Sequence, residues 1–130
     1  MANNTLDDQV RNKLGSIGKQ LGYSVYPSLP SLGTDYPFMT FGEIADSPRA
    51  TKGPLLGAIS VRLHFWGSEL QKSEVSLMAD KMRAMTRNVQ LETLFLMSKI
   101  NASRKRTLAD NSTGSTLWHV VLDLEFTIHY

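Results

Sequence analysis

From Trp118 to Tyr130 every even-numbered position is apolar: Trp118, Val120, Leu122, Leu124, Phe126, Ile128 and Tyr130. The odd positions are polar at His119, Asp123, Glu125, Thr127 and His129, with Val121 the exception. Alternation sustained this long specifies a β-strand with one buried face. A strand of this length cannot bury that face alone, so the rest of the chain must supply the cover and the neighbouring strands. The strand is expected to run to the last residue, with Tyr130 held at a sheet end or a subunit boundary. Removing residues 126–130 is expected to abolish folding or assembly.

A second stretch has the same character. In "LLGAISVRLHFWG", residues 55–67, Ile59, Val61, Leu63 and Phe65 face one way, while Ser60, Arg62, His64 and Trp66 face the other. Trp66 therefore stands out as an aromatic residue on a polar face. "PFMTFGEI" also reads as a strand, but Phe38, Met39 and Phe41 do not share a face. It is either buried on both sides or bulged near Gly42. A short strand, "YSVY", precedes it, and a strand is favoured in the second half of "VQLETLFLMSKI".

Two segments have the period of an amphipathic helix. In residues 5–22, Leu6, Val10, Leu14, Ile17 and Leu21 line one face, Thr5 is placed to cap, and Gly22 to stop the helix. Gly15 and Gly18 weaken a free helix by about 1 kcal/mol each, which suits an element docked closely on another backbone. Residues 68–88 open with Ser68 and Gln71 in capping-box spacing, and Val75, Met78, Met82 and Met85 form a stripe that Leu70 and Leu77 widen. The segments 27–37, 46–54 and 101–116 read as polar loops. The expected fold is α+β: a mostly antiparallel β-sheet with two main helices packed on one face, in a single domain over residues 1–130.

Composition narrows the function. The chain has 130 residues, 42% apolar, with a formal net charge of +2, too small by itself to imply a nucleic-acid or membrane partner. Cysteine is absent, which removes disulfides, thiolate catalysis and cysteine metal sites and fits synthesis in a reducing cytoplasm. No run is long and apolar enough for a membrane span, and "MANNTLDDQV" does not read as a secretory signal. Six methionines serve either a forgiving core or a surface that repacks against a neighbour.

No constellation for catalysis emerges. His119 and His129 share a face, but ten strand residues separate them by roughly 33 Å. His64 and His119 are possible cross-strand neighbours without a third ligand. Asp123 and Glu125 are spaced as an acid–base pair, yet occupy solvent-side positions of the strand. "GSIGKQLG" lacks phosphate-loop spacing and sits in a helix pattern. Arg104, Lys105 and Arg106 form the one dense basic run, either a solvated loop or a contact for an acidic partner or DNA phosphates. No catalytic residue, cofactor or metal is assigned, and the chain is not expected to be an enzyme.

Three stretches carry a resemblance: "YPFMTFGEIADSPRATKG", "ISVRLHFWGSELQKSEVSLMADKMRAM" and "KRTLADNSTGSTLWHVVLDLEFTI". Their order and spacing over roughly residues 23–128 resemble the tail-terminator, or tail-completion, proteins of long-tailed bacteriophages. The resemblance implies a non-enzymatic virion protein made in the host bacterial cytoplasm. It implies a ring, typically a hexamer, at the head-proximal end of the tail tube, ending tube polymerisation. The implied partners are further copies of the chain, the major tail tube protein and the head–tail connector protein. Genomic DNA would pass through the ring without sequence-specific binding. A ring needs two different adhesive faces per subunit. The interface candidates are Trp66, Arg104, Lys105, Arg106, Asp110 and Tyr130. The rival readings are another head–tail joining protein, such as a head-closure or minor tail component, and a small cytosolic binding domain.

Overall fold

The computed structural model describes residues 5–48 and 55–130. Its elements run α1 (Leu6–Gln20), β1 (Val25–Tyr26), β2 (Phe38–Pro48), β3 (Leu55–Gly67), α2 (Lys72–Met85), β4 (Asn88–Gln90), β5 (Phe95–Ser98), β6 (Arg104–Asp110) and β7 (Leu117–His129). The α+β expectation holds: a curled sheet, antiparallel except for the β1–β2 pair, carries the helices on one face.

β7 is the spine. One edge pairs along nearly its whole length with β3, from Gly67–Trp118 contact at one end to Leu55–His129 at the other. The opposite edge is shared: β5 pairs with residues 126–129 and β6 with residues 117–123. The order is β1-β2-β3-β7, then β5-β4 at one end of β7 and β6 at the other. Val120, Leu122, Leu124 and Phe126 are fully buried, and Ile59, Val61, Leu63 and Phe65 interleave with them from β3. Each such side chain contributes about 1.5–3 kcal/mol by leaving water.

α1 begins and ends as its sequence dictates. Thr5 Oγ1 accepts from the Asp8 N–H at 3.1 Å, and the Asp8 carboxylate accepts from the Thr5 N–H at 3.3 Å. At the other end Gly22 has a φ of +91°; its N–H donates to Lys19 and that of Tyr23 to Gly18, which satisfies two terminal carbonyls. The helix docks closely, as its glycines suggested. A Cβ on Gly18 would lie 3.1 Å from both Met39 Cε and Val25 Cγ2.

α2 follows β3 through a single turn. The Ser68 N–H donates to Gln71 Oε1 at 2.9 Å. The turn is clasped from β7: the Trp118 indole N–H donates to the Glu69 carbonyl at 3.0 Å, and Lys72 Nζ lies 4.4 Å from the Trp118 ring centroid. Val75, Met78, Ala79 and Met82 form the buried stripe.

Four expectations are corrected. Leu70, Leu77 and Met85 are exposed and do not extend the buried stripe of α2. The segment 101–116 is not all loop: Arg104–Asp110 forms β6, because β7 offers its backbone an edge even though the side chains of β6 stay wet. Residues 46–48 continue β2; the rest of the expected 46–54 loop lies outside the described residues. Asn88–Gln90 adds a short strand, β4, at one end of the sheet. In β2 both alternatives hold. The register advances from Phe41–Leu63 to Ile44–Val61, one extra residue on β2, so there is a bulge at Gly42 and Glu43. Phe38, Met39, Thr40 and Phe41 are also all buried.

Candidate assembly surfaces

The helices cover one side of the sheet, leaving His64, Trp66, His119 and Asp123 on the other. β3 pairs Trp66 with His119 and His64 with Val121, so the two imidazoles are diagonal neighbours. His64 Nδ1 and His119 Nε2 are 2.7 Å apart, a hydrogen bond in which one ring supplies the N–H and the other the lone pair. Trp66 stacks on His119 with ring centroids 3.8 Å apart and planes 9° from parallel.

Local backbone geometry makes this cluster possible. The β2 bulge brings Gly42 over His64, where a Cβ would lie 2.6 Å from Nε2. Beyond Trp66, the 27–37 loop closes over Phe38, which packs against Tyr26 edge-on and stacks on Tyr36. A small recess of about 110 Å³ remains there, lined in part by Leu32, Phe38, Trp66, Asp110 and Leu117. The Trp66 Nε1 is buried with no hydrogen-bond partner among the described residues.

Both histidines resist protonation. Burial pushes the His119 pKa down to about 4, reinforced by His64 and Arg106 and opposed by Asp110. Burial also lowers His64, with Arg62 and Arg106 in the same direction and Asp123 against. Protonating both rings would set N–H against N–H across the 2.7 Å contact. The pair is therefore a neutral structural bridge between β3 and β7. Among the described residues no cluster of three or more metal-ligating side chains occurs.

Next to the histidines, Arg62 Nε donates to Asp123 Oδ1 at 2.7 Å, and Lys99 Nζ lies 3.7 Å from Glu125 Oε2. Asp123 and Glu125 thus serve cross-strand ion pairs, as solvent-side positions of a sheet commonly do. A groove of about 270 Å³ crosses this face, with Glu43 from β2 and Arg104 from β6 both in its lining.

The interface candidates fall at different places. Arg104 and Arg106 are exposed on β6, opposite Asp123 and Val121 of β7. Lys105 points to the helix side, where Nζ donates to Asp80 at 2.7 Å and Ser76 at 2.9 Å on α2. Asp110 closes the turn after β6: its carboxylate accepts from the Ser112 N–H at 2.8 Å, and the Ser112 hydroxyl and N–H hold it below the usual carboxylate range. Tyr130 follows β7 and is 74% exposed. Sequence alternation exposed Trp66 and the His64–His119 pairing. It carried no sign of the 27–37 loop closing over them, because that contact depends on tertiary placement.

The fold is similar to that of a chain in the "Virion of native gene transfer agent (GTA) particle". The match has a TM-score of 0.67 and 9% identity, and it covers 98% of this chain and 100% of that one. No family model matches the chain, and no curated protein sequence does.

Proposed function

We propose that this protein is a structural component of a phage-like virion, and specifically a tail terminator. In this reading it forms a ring of identical subunits at the head-proximal end of the tail tube, ends tube growth and presents a surface to the head–tail connector. Genomic DNA passes through without sequence-specific contacts. The carrying observation is the likeness of fold to a virion chain over 98% of this chain and 100% of that one. The surface chemistry agrees. On the open sheet face Asp123 and Glu125 are held in ion pairs, and His64 and His119 in a neutral imidazole bridge. Leu29, Leu32, Leu70, Leu77, Met85 and Ile100 leave much of their apolar surface in water, as an assembling subunit does before its neighbours arrive.

The test is electron microscopy of particles from a phage in which the gene for this chain is deleted. Tails of abnormal length, or tails without heads, are expected. Normal tails joined to heads would overturn the proposal. Tails of normal length that fail to join heads would instead favour the head-closure reading.

A further inference from the structure

Among the described residues the short strand β4 ends the sheet beside β5, and the two longer free edges, of β2 and of β6, are unlike. On one side, β1 covers β2 only at Met39 and Thr40, so residues 42–48 of β2 have no outer partner among the described residues. On the other side, β6 pairs with β7 along its inner edge only, leaving its seven-residue outer edge without a partner among the described residues. Unpaired strand edges are templates for another chain. We propose that these two edges are complementary halves of one head-to-tail contact, the β6 edge of one copy receiving the β2 edge of the next. The proposal rests on the ring reading above and names the surfaces that close it.

Three observations carry it. The first is strand direction. β2, β3, β7 and β6 are successive antiparallel neighbours, so β2 and β6 run in opposite directions. Copies related by rotation about an axis along the strands then meet β6 against β2 antiparallel, the geometry in which short strands pair best. The second is charge. β6 carries Arg104, Lys105 and Arg106, while the free stretch of β2 carries Glu43 and Asp46. Like edges would repel and unlike edges attract, which favours head-to-tail over two-fold pairing.

The third is facing. Arg104 lies opposite Asp123 and Arg106 opposite Val121, which puts both on the helix-free side, where Glu43 lines the groove. Lys105 lies opposite Leu122 and Asp46 opposite Ile59, which puts both on the helix side. On the helix-free side the arginines therefore meet Glu43. On the helix side Lys105 faces Asp46 but already holds Asp80, so the arginines supply the free positive charge.

The chain has no cysteine, so placed cysteines report contacts without background. Ala45 and Leu108 both stand on the helix-free side, near the middle of their edges. With a short bis-maleimide, the A45C/L108C chain is expected to give a ladder of covalent oligomers, both concentrated in solution and within particles. A45C mixed with L108C should give a dimer, and neither should link alone. R104E/R106E should lower the yield about tenfold. Mixing that variant with E43K/D46K should restore it, because each chain then offers edges that complement the other.

A 45–45 or 108–108 link, a mixture that fails to recover, or no link in either setting would overturn the contact. So would a full ladder from R104E/R106E coupled with lost DNA binding, which would assign the arginines to phosphates. Particles that contain the chain without the 45–108 link would remove this contact and leave the virion role standing. A ladder from a chain that no particle contains would do the reverse.

Discussion

Trp66 and His119 lie face to face across the β3–β7 ladder, centroids 3.8 Å apart, and His119 is in turn bonded to His64 at 2.7 Å. Three side chains on the polar face of two strands are thus locked together, with one of them, Trp66, partly closed over by the loop that precedes β2. The consequence is a pH dependence with a definite sign. In the unfolded chain His119 takes a proton near its ordinary value of 6.5; in the folded chain it does so only at about 4. Between these values the unfolded state binds the extra proton, so stability is full above about 6.5 and declines as pH falls toward 4. Denaturant titration across that range should show the decline, and H119F should flatten much of it. A midpoint that does not move with pH in the native chain would contradict the bridge.

Gly67 ends β3 against the turn into α2. A Cβ there would lie 2.7 Å from Val75 Cγ1, 3.1 Å from Gln71 Cβ and 3.3 Å from the Gln71 carbonyl oxygen. Backbone is among those neighbours, so relief requires moving the helix. G67A should cost about 1–3 kcal/mol, read as a shift of the urea midpoint. An unchanged midpoint would mean that α2 sits less tightly on the sheet.

β7 is the element every other strand depends on. L122A removes a fully buried side chain and should cost about 2–5 kcal/mol by denaturant unfolding. Deleting residues 126–130 removes Phe126 and Ile128 from the core and takes the partner from β5. The truncated chain should lose its cooperative transition. A soluble truncation that unfolds in one sharp step would contradict this placing of the strand.

The arginines of β6 should separate assembly from stability. Arg104 and Arg106 are exposed and form no ion pair among the described residues, so R104A and R106A should shift stability by no more than about 0.5 kcal/mol. K105M breaks a partly exposed pair to Asp80 and should cost about 0–1 kcal/mol. If either arginine variant unfolds the chain, the outer edge of β6 carries structural contacts instead of a free surface.

What the sequence made legible follows from what drives each element. β7 and β3 alternate strictly because one face is buried and the other wet, and that pattern survives in the residues themselves. α1 is framed by a cap and a stop that act over a few residues. β6 was illegible for the opposite reason: "RKRTLAD" buries almost nothing, and its extended form is imposed by the edge of β7. Leu70 and Leu77 misled because apolar type does not reveal whether a partner lies within the chain. Among site residues, Trp66 and the two histidines were visible as oddities on a polar face. The free edges were not, since an edge is defined by which strand is absent beside it.

The proposed ring of copies at the head-proximal end of a tail is open to direct observation by electron cryomicroscopy of the neck region in particles of the phage that encodes this chain. A ring at the head end of the tube into which this fold fits, with β6 of each copy beside β2 of the next, is expected. A neck whose density is fully explained by other proteins, with no copy of this fold, would contradict it.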